Sequence, residues 1–262
     1  MTSTMHTILV IGGTTGIGRS FAQRFHGQGK QVIVTGRPDT DRLSALSKKN
    51  PGIETYGFDI TDVTNIPTHL DQLFNTYPDI DTVWINAGIQ TACNLKDITS
   101  TTDGAVIEEI TANLTGPLII ARHVIPRLLS RREAGKPATL MTTSSGIAFV
   151  PLGSMFPVYG ATKAGIHHYT VGVRQALKGT GVAVIEIVPP YTEGTELGPG
   201  HKDAMAKMKG MSLEDLTDDI FAILDGRPAE ELKEVAAGTG VDRSAGWRTG
   251  IEPVMVKLGL TD

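Results

Sequence analysis

The chain has 262 residues, 40% hydrophobic and 20% charged, with a net charge of −4 at pH 7. That is the composition of one large α/β domain with a sizeable core, and its basic residues, scattered apart from Arg131-Arg132 and the Lys202, Lys207, Lys209 group, leave no footprint for a nucleic acid. The single cysteine, Cys93, excludes an intramolecular disulfide and a cysteine-built metal site; no apolar run approaches the ~18 residues of a membrane span, and the polar leader Met1 to His6 has no signal-peptide core, so a cytoplasmic protein is expected.

Thr7 to Ile11 is a β-branched apolar run ending at glycine, the pattern of a buried parallel strand. Gly12-Gly13-Thr14-Thr15-Gly16-Ile17-Gly18 follows, then Arg19 to Gln28 with Phe21, Ala22 and Phe25 at helical spacing, which puts the glycines on a strand-to-helix turn. Glycine allows backbone angles closed to other residues and lets a pyrophosphate approach the helix N-terminus; a purely structural turn is the alternative. Gln31 to Thr35 is a second strand, ended by Gly36-Arg37. In a nucleotide-binding β-α-β unit a carboxylate here holds a ribose 2′-hydroxyl and an arginine accommodates a 2′-phosphate, so Arg37 favours NADP(H), with NAD(H) as the second choice and a solvated loop arginine as the rival reading. Ile53 to Phe58 is a third strand; Asp59 after it falls near an adenine or serves as a turn residue, and Asp62 is expected to cap the next helix.

Asp81 to Ile85 is a fourth strand, closing on Asn86-Ala87-Gly88. Ile107 to Leu129 reads as one long amphipathic helix holding Asn113 and Gly116, with Pro117 and Pro126 expected to kink it. Ala138 to Thr143 is a fifth strand ending at Ser144-Ser145, and after the loop Gly146 to Pro157 a helix carries Tyr159 and Lys163, then Val182 to Val188 forms a sixth strand. The alternation predicts a single-domain, doubly wound, Rossmann-type parallel sheet, with every motif at the carboxyl ends of the strands where such sheets bind ligands. Tyr159 and Lys163 are one helical turn apart, so both project from one face. A fixed cation there is expected to lower the phenol from about 10 and make it a proton exchanger; a solvated helix pair is the plain alternative.

Taken together, these motifs resemble the short-chain dehydrogenase/reductase family over about residues 7 to 197. The family's glycine motif matches Gly12, Gly16 and Gly18, its Asn-Ala-Gly matches Asn86, Ala87 and Gly88, and its catalytic Asn, Ser, Tyr and Lys match Asn113, Ser145, Tyr159 and Lys163. The resemblance implies reduction of a ketone or aldehyde, or oxidation of the corresponding alcohol: Tyr159 protonates the carbonyl oxygen, Ser145 hydrogen-bonds it, Lys163 holds the nicotinamide ribose, and Asn113 tethers a water beside the lysine. It further implies a cofactor contacted by Gly12, Thr14, Thr15, Gly16, Ile17, Gly18, Arg37, Asp59, Ile60, Asn86, Ala87, Gly88, Tyr159, Lys163, Pro189 and Thr195.

Departures from the pattern are visible. Ser145 lies fourteen residues before Tyr159 where thirteen is commoner, leaving Ser144 as a substitute; Pro190 replaces a glycine, and Gly194 is inserted before Thr195. Residues 198–226 are expected to form a substrate lid, with Met205, Met208 and Met211 suited to a fairly apolar small-molecule substrate, while 227–262 is a C-terminal extension of no assigned structure. The resemblance also implies a homodimer or homotetramer paired through the helices around Asn113 and Tyr159. No metal site is expected: His167-His168 point in different directions from a helix and read as packing or solvent. Asp218-Asp219 and Glu230-Glu231 read as solvated helix faces, Cys93 as an incidental loop thiol, and the sequon at Asn113 carries no weight. The rival function is a non-redox one on the same fold, a nucleotide-sensing regulator or an isomerase or cyclase, though a regulator has no need of Tyr159.

Overall fold

Alternation along the apolar runs sets the architecture. In the computed structural model, which describes residues 1–38, 40–152, 156–197, 205 and 208–262 except for the side chain of Glu230, the strands are β1 (Thr7–Ile11), β2 (Gln31–Gly36), β3 (Ile53–Gly57), β4 (Thr82–Ile85), β5 (Thr139–Thr143), β6 (Ala183–Val188) and β7 (Glu234–Ala236). They pair in parallel in the order β3-β2-β1-β4-β5-β6-β7, with Ile8 beside Val32 on one side and Thr82 on the other. Successive side chains of a strand point to opposite faces. Leu9, Ile11, Ile33, Val83, Ile85 and Leu140 therefore join one core layer with Leu70, Leu73, Val124 and Leu128. Ile8, Val10, Val32, Val34, Trp84, Met141 and Ile185 join the other, with Phe21, Phe25, Ile220 and Phe221. Because both faces are covered by helices, the strands read as unbroken apolar runs.

The helices are α1 (Gly16–Gly27), α2 (Arg42–Lys49), α3 (Ile66–Thr76), α4 (Asp103–Ile110), α5 (Gly116–Glu133), α6 (Pro157–Ala176), α7 (Leu213–Gly226) and α8 (Thr239–Lys257). Several depart from the sequence reading. The expected single helix from Ile107 to Leu129 is α4, one π-helical turn at Thr111–Thr115, and α5. Gly116 sits where a Cβ would lie 2.6 Å from the Ile60 carbonyl oxygen, so the chain passes close over the β3–α3 connection. Pro117 falls in the first turn of α5, directly after the π-helical turn, and Pro126 lies further inside the helix. Asp62 does not cap α3; Asn65 occupies that position, and the Asp62 carboxylate accepts from the Asn65 side-chain amide at 2.7 Å.

The largest correction is at the C-terminal end. Helix α7, expected within a lid, buries Leu216, Ile220, Phe221 and Leu224 in the second core layer, and its Ser212 cap accepts from the Asp215 amide at 3.0 Å. Phe221 meets the Phe21 ring edge-on at 5.2 Å, and Phe21 in turn stacks on Trp84 at 5.0 Å. Of the expected lid, 198–204 and 206–207 lie outside the described residues; the chain on either side is joined by Glu193 donating to Met211 and Met211 to Tyr191. The extension also contains β7, which adds to the sheet beside β6 with Val235 opposite Ile187. Three residues are too few for a periodicity to register.

Candidate active site

The carboxyl ends of the central strands are fastened to one another by side chains. Trp84 Nε1 on β4 donates to Thr143 Oγ1 on β5 at 2.9 Å, Thr143 Oγ1 donates to Asn86 Oδ1 at 3.0 Å, and Asn86 Nδ2 donates to the Gly12 carbonyl at 2.8 Å. Gly12, at φ +83°, has no room for a side chain, since a Cβ would lie 2.4 Å from Ala87 Cα. Gly18 is excluded in the same way, by the Gly12 carbonyl oxygen at 2.3 Å. Two of the three motif glycines thus serve the packing of the turn upon the β4 end, which crosses it at the reversal of strand order.

Helix α6 opens at Pro157 and presents Tyr159 and Lys163 on one face, both buried. Ser145 lines the same cavity wall as the Tyr159 phenol. Lys163 Nζ donates to the Thr143 carbonyl at 2.9 Å and lies 5.6 Å from the centre of the Tyr159 ring. Contrary to the expectation from spacing, the phenol is not lowered. Burial pushes it well above its ordinary value near 10, the Glu109 carboxylate pushes the same way, and the Ser145 hydroxyl opposes both. Burial also brings Lys163 down to about 8, against the pull of Glu109 and Glu186. The physical reason is desolvation: in a buried site both charged forms lose hydration, and the ammonium is spent on a carbonyl oxygen.

A cavity of about 650 Å³ opens over these strand ends. Gly12, Thr14, Thr15, Gly16 and Ile17 line it at the start of α1; Arg37, Asp59 and Ile60 line one end; Asn86, Ala87, Gly88, Pro189 and Thr195 line the middle; and Ser145, Tyr159 and Lys163 line the other end. Gly18 and Asn113 are not on its wall. The Asn113 amide accepts from the Ile89 N–H at 2.8 Å and donates to the Ile89 carbonyl at 2.7 Å and to Thr162 Oγ1 at 3.2 Å, which pins the π-helical turn to the β4 loop. Asp59 accepts from the Thr61 N–H and hydroxyl, both at 2.8 Å, the turn role that was its plainer reading.

The walls fit a dinucleotide. Gly16, at φ +53°, opens α1 without a side-chain cap from Thr15 and without an acidic residue in the first turn, so the positive end of the helix faces the cavity. Thr195 packs over Gly16 and donates to the Thr192 carbonyl at 2.8 Å, so the Gly194 insertion, at φ +75°, leaves the threonine on the cavity wall.

Behind the site lies a buried cluster that the sequence reading missed. Ser144 donates to Glu186, which also binds His167 Nδ1 at 2.9 Å and Arg174 at 3.4 Å. Arg174 reaches Glu234 and Asp262, each at 2.8 Å, and Arg248 bridges the same two carboxylates. His167 is packed between Phe149 and Trp247, with ring centres 4.4 and 4.3 Å away, whereas His168 is exposed. Among the described residues, His167, Glu186 and Glu234 hold ligand atoms within 4.8 Å of one another, but arginines already occupy the carboxylates. Ser144 is thereby engaged away from Tyr159, and Ser145 is the serine at the phenol.

Two further residues at the site were not anticipated. Arg42 lines the cavity beside Arg37 and pairs with Glu196 at 2.8 Å. Glu109 is buried, accepts from the Thr91 N–H at 3.3 Å, has its other oxygen without a partner among the described residues, and is raised by burial to about 7. Its position four residues before Asn113, on the same helical face, was the available signal. Cys93, read as an incidental loop thiol, is buried.

Comparison with known proteins agrees with this geometry. The short chain dehydrogenase family model matches residues 6–205. The chain is 33% identical over 218 residues to the uncharacterized oxidoreductase DltE of Bacillus subtilis, covering 82% of each protein. It is 35% identical over 195 residues to a serine 3-dehydrogenase of Rhizobium radiobacter, covering 71% of this chain and 72% of that protein. Among solved structures, a short-chain dehydrogenase from Sphingobium yanoikuyae in complex with NADPH superposes with a TM-score of 0.77 at 23% identity, covering 95% of this chain and 96% of that one.

Proposed function

The chain belongs to the short-chain dehydrogenase/reductase family and is an NAD(P)-dependent oxidoreductase acting on CH–OH or C=O groups, and from that premise we propose that it is an NADP(H)-dependent reductase of a ketone or aldehyde with Tyr159 as the general acid. The observation that carries the reading is that Ser145, Tyr159 and Lys163 share the wall of a cavity that begins at the α1 N-terminus. When bound, the nicotinamide supplies hydride to the carbonyl carbon. Tyr159, held in its protonated form at neutral pH, gives its proton to the carbonyl oxygen, and the Ser145 hydroxyl stabilises the charge that gathers there. Lys163 binds the nicotinamide ribose, and Asn113, through Ile89, holds the helix turn beside it. Gly12, Thr14, Thr15, Gly16, Ile17 and, through packing, Gly18 shape the phosphate end; Asp59, Ile60, Asn86, Ala87 and Gly88 flank the adenosine; Pro189 and Thr195 seat the carboxamide.

Arg37 and Arg42 together at the adenosine end support the 2′-phosphate and so NADP(H). Ile147, Phe156 and Met205, buried around Tyr159, support a substrate with a fairly apolar body. Among the described residues no helix is long and apolar enough to cross a membrane; the reading places the enzyme in the cytoplasm as a homodimer or homotetramer, with exposed Ile107 and Ile110 on α4 at the subunit contact. Fluorescence titration with NADPH and NADH tests the cofactor. NADPH binds the tighter, and Arg37→Ala weakens NADPH roughly 10- to 100-fold while barely changing NADH. Tighter binding of NADH would overturn the choice, and binding of neither would favour a non-redox role.

A further inference from the structure

The cavity wall beyond Tyr159 carries a cation without a partner among the described residues. Arg243, half-buried on α8, lines the cavity, and its guanidinium makes no hydrogen bond or ion pair among the described residues. Arg248 on the same helix is the opposite case, bonded to both Glu234 and Asp262. The guanidinium of Arg243 rests against Gly146, where a Cβ would lie 3.2 Å from Nη1 and 3.3 Å from Cδ. Gly146 follows Ser145 directly, and its N–H donates to the Pro189 carbonyl at 3.1 Å, so the position is fixed relative to the reacting end of the cavity. Gly238 and Thr239, at the opening of the same helix, share this wall. Arg37 and Arg42, which serve the adenosine end, are at the far side, beyond β2.

A half-buried charge without a partner loses hydration and gains nothing in the protein alone, so an anion arriving in the cavity completes it. The planar fork of arginine matches a carboxylate through two parallel hydrogen bonds, which an ammonium cannot do. We propose that Arg243 receives a carboxylate of the substrate, so that the reaction interconverts a short-chain oxo acid and its hydroxy acid. This rests on the oxidoreductase reading above. The contact with Gly146 sets the carboxylate within a few bonds of the carbonyl that Ser145 and Tyr159 address, and the apolar wall of Ile147, Phe156 and Met205 takes the rest of the molecule.

The test separates binding from turnover. Calorimetric titration of the NADP⁺-saturated protein with butyrate, butyramide and propane-1-sulfonate is run on the native chain, Arg243→Met and Arg243→Lys, with NADPH binding as the check of folding. Butyrate binds the native chain at least tenfold more tightly than butyramide and more tightly than the sulfonate; Arg243→Met loses that advantage and Arg243→Lys keeps part of it. Equal binding of acid and amide, or butyrate binding undiminished in Arg243→Met, overturns the assignment, and preference for the sulfonate overturns the carboxylate in favour of a tetrahedral anion. In parallel, NADPH oxidation is followed with acetoacetate, 2-oxobutanoate and succinic semialdehyde against their methyl esters. A preference for acids in kcat/KM that disappears in Arg243→Met supports the site. Esters reduced as well as acids by the native chain overturn the carboxylate site and leave the reductase intact, whereas Arg243-dependent butyrate binding with no compound reduced keeps the site and sinks the reductase reading.

Discussion

Two adjacent serines face two regions that treat buried charge in opposite ways. Ser144 donates into the cluster of Glu186, Arg174, Glu234, Arg248 and Asp262, where every carboxylate has a guanidinium beside it. Burial there would raise the acids, yet Arg174 and Arg248 outweigh it and hold Glu234 and Asp262 below their ordinary values, while burial's pull on Arg248 is likewise overcome by its two acids. Ser145 faces the cavity, beside which Tyr159, Lys163 and Glu109 are buried without an ion pair among the described residues, and each is pushed toward its neutral form. Burial alone does not set the protonation state; the supply of opposite charge does. A fully paired cluster is a brace, and an incompletely paired one is where a ligand or a proton has work left to do.

The comparison is broken most severely by Tyr159→Phe. Removing the proton donor lowers kcat by roughly 10³-fold or more, read as NADPH consumption; a rate within tenfold of native would mean that another group donates the proton. On the paired side, Arg174→Met leaves Glu186, Glu234 and Asp262 short of a cation and costs about 3–5 kcal/mol. At roughly 2–4 °C per kcal/mol, thermal denaturation at pH 7 should show a fall of about 10 °C, and a change under 2 °C would remove the bracing role. The two serines then divide the effects. Ser145→Ala lowers kcat/KM roughly 10²- to 10³-fold, while Ser144→Ala keeps kcat within about threefold and loses about 1–3 kcal/mol of stability, because Glu186 loses a donor. The reverse pattern would make Ser144 the catalytic serine.

The smallest effect sharpens the comparison through pH. Glu109 in the folded protein holds its proton up to about 7, above the ordinary 4.5, so its contribution to stability is full below the lower value and is lost as pH rises through the higher one. Glu109→Gln, which cannot ionise, should melt a few degrees above native at pH 8.5 and together with it at pH 4.5. The substitution also removes a carboxylate that raises Lys163, so the alkaline limb of the rate profile, set near the lysine's value of about 8, moves to lower pH. An unmoved limb would show that Glu109 does not act on the lysine.

Much of the frame was legible from local pattern. Six apolar runs gave six strands because a strand buried on both faces is written in its own residues, as Thr7–Ile11 is. The turn after β1 and the pair Tyr159 and Lys163 were legible because backbone freedom and helical spacing are short-range properties. By contrast β7 is three residues long, and α7 was misplaced in a lid because its burial depends on Phe21 and Phe25, nearly two hundred residues earlier.

The sequence by itself thus determined the sheet, the place of the cavity at its carboxyl edge and the residue types around it, since each follows from neighbours within a turn or a strand. Only the tertiary structure decided that Ser144 is engaged by Glu186, that Asn113 is spent on Ile89, that burial and Glu109 raise Tyr159 where spacing suggested the reverse, and that Arg243, beside Gly146, has no partner among the described residues. Those outcomes depend on desolvation and on charges within a few ångströms contributed by distant parts of the chain, and no short-range pattern encodes them.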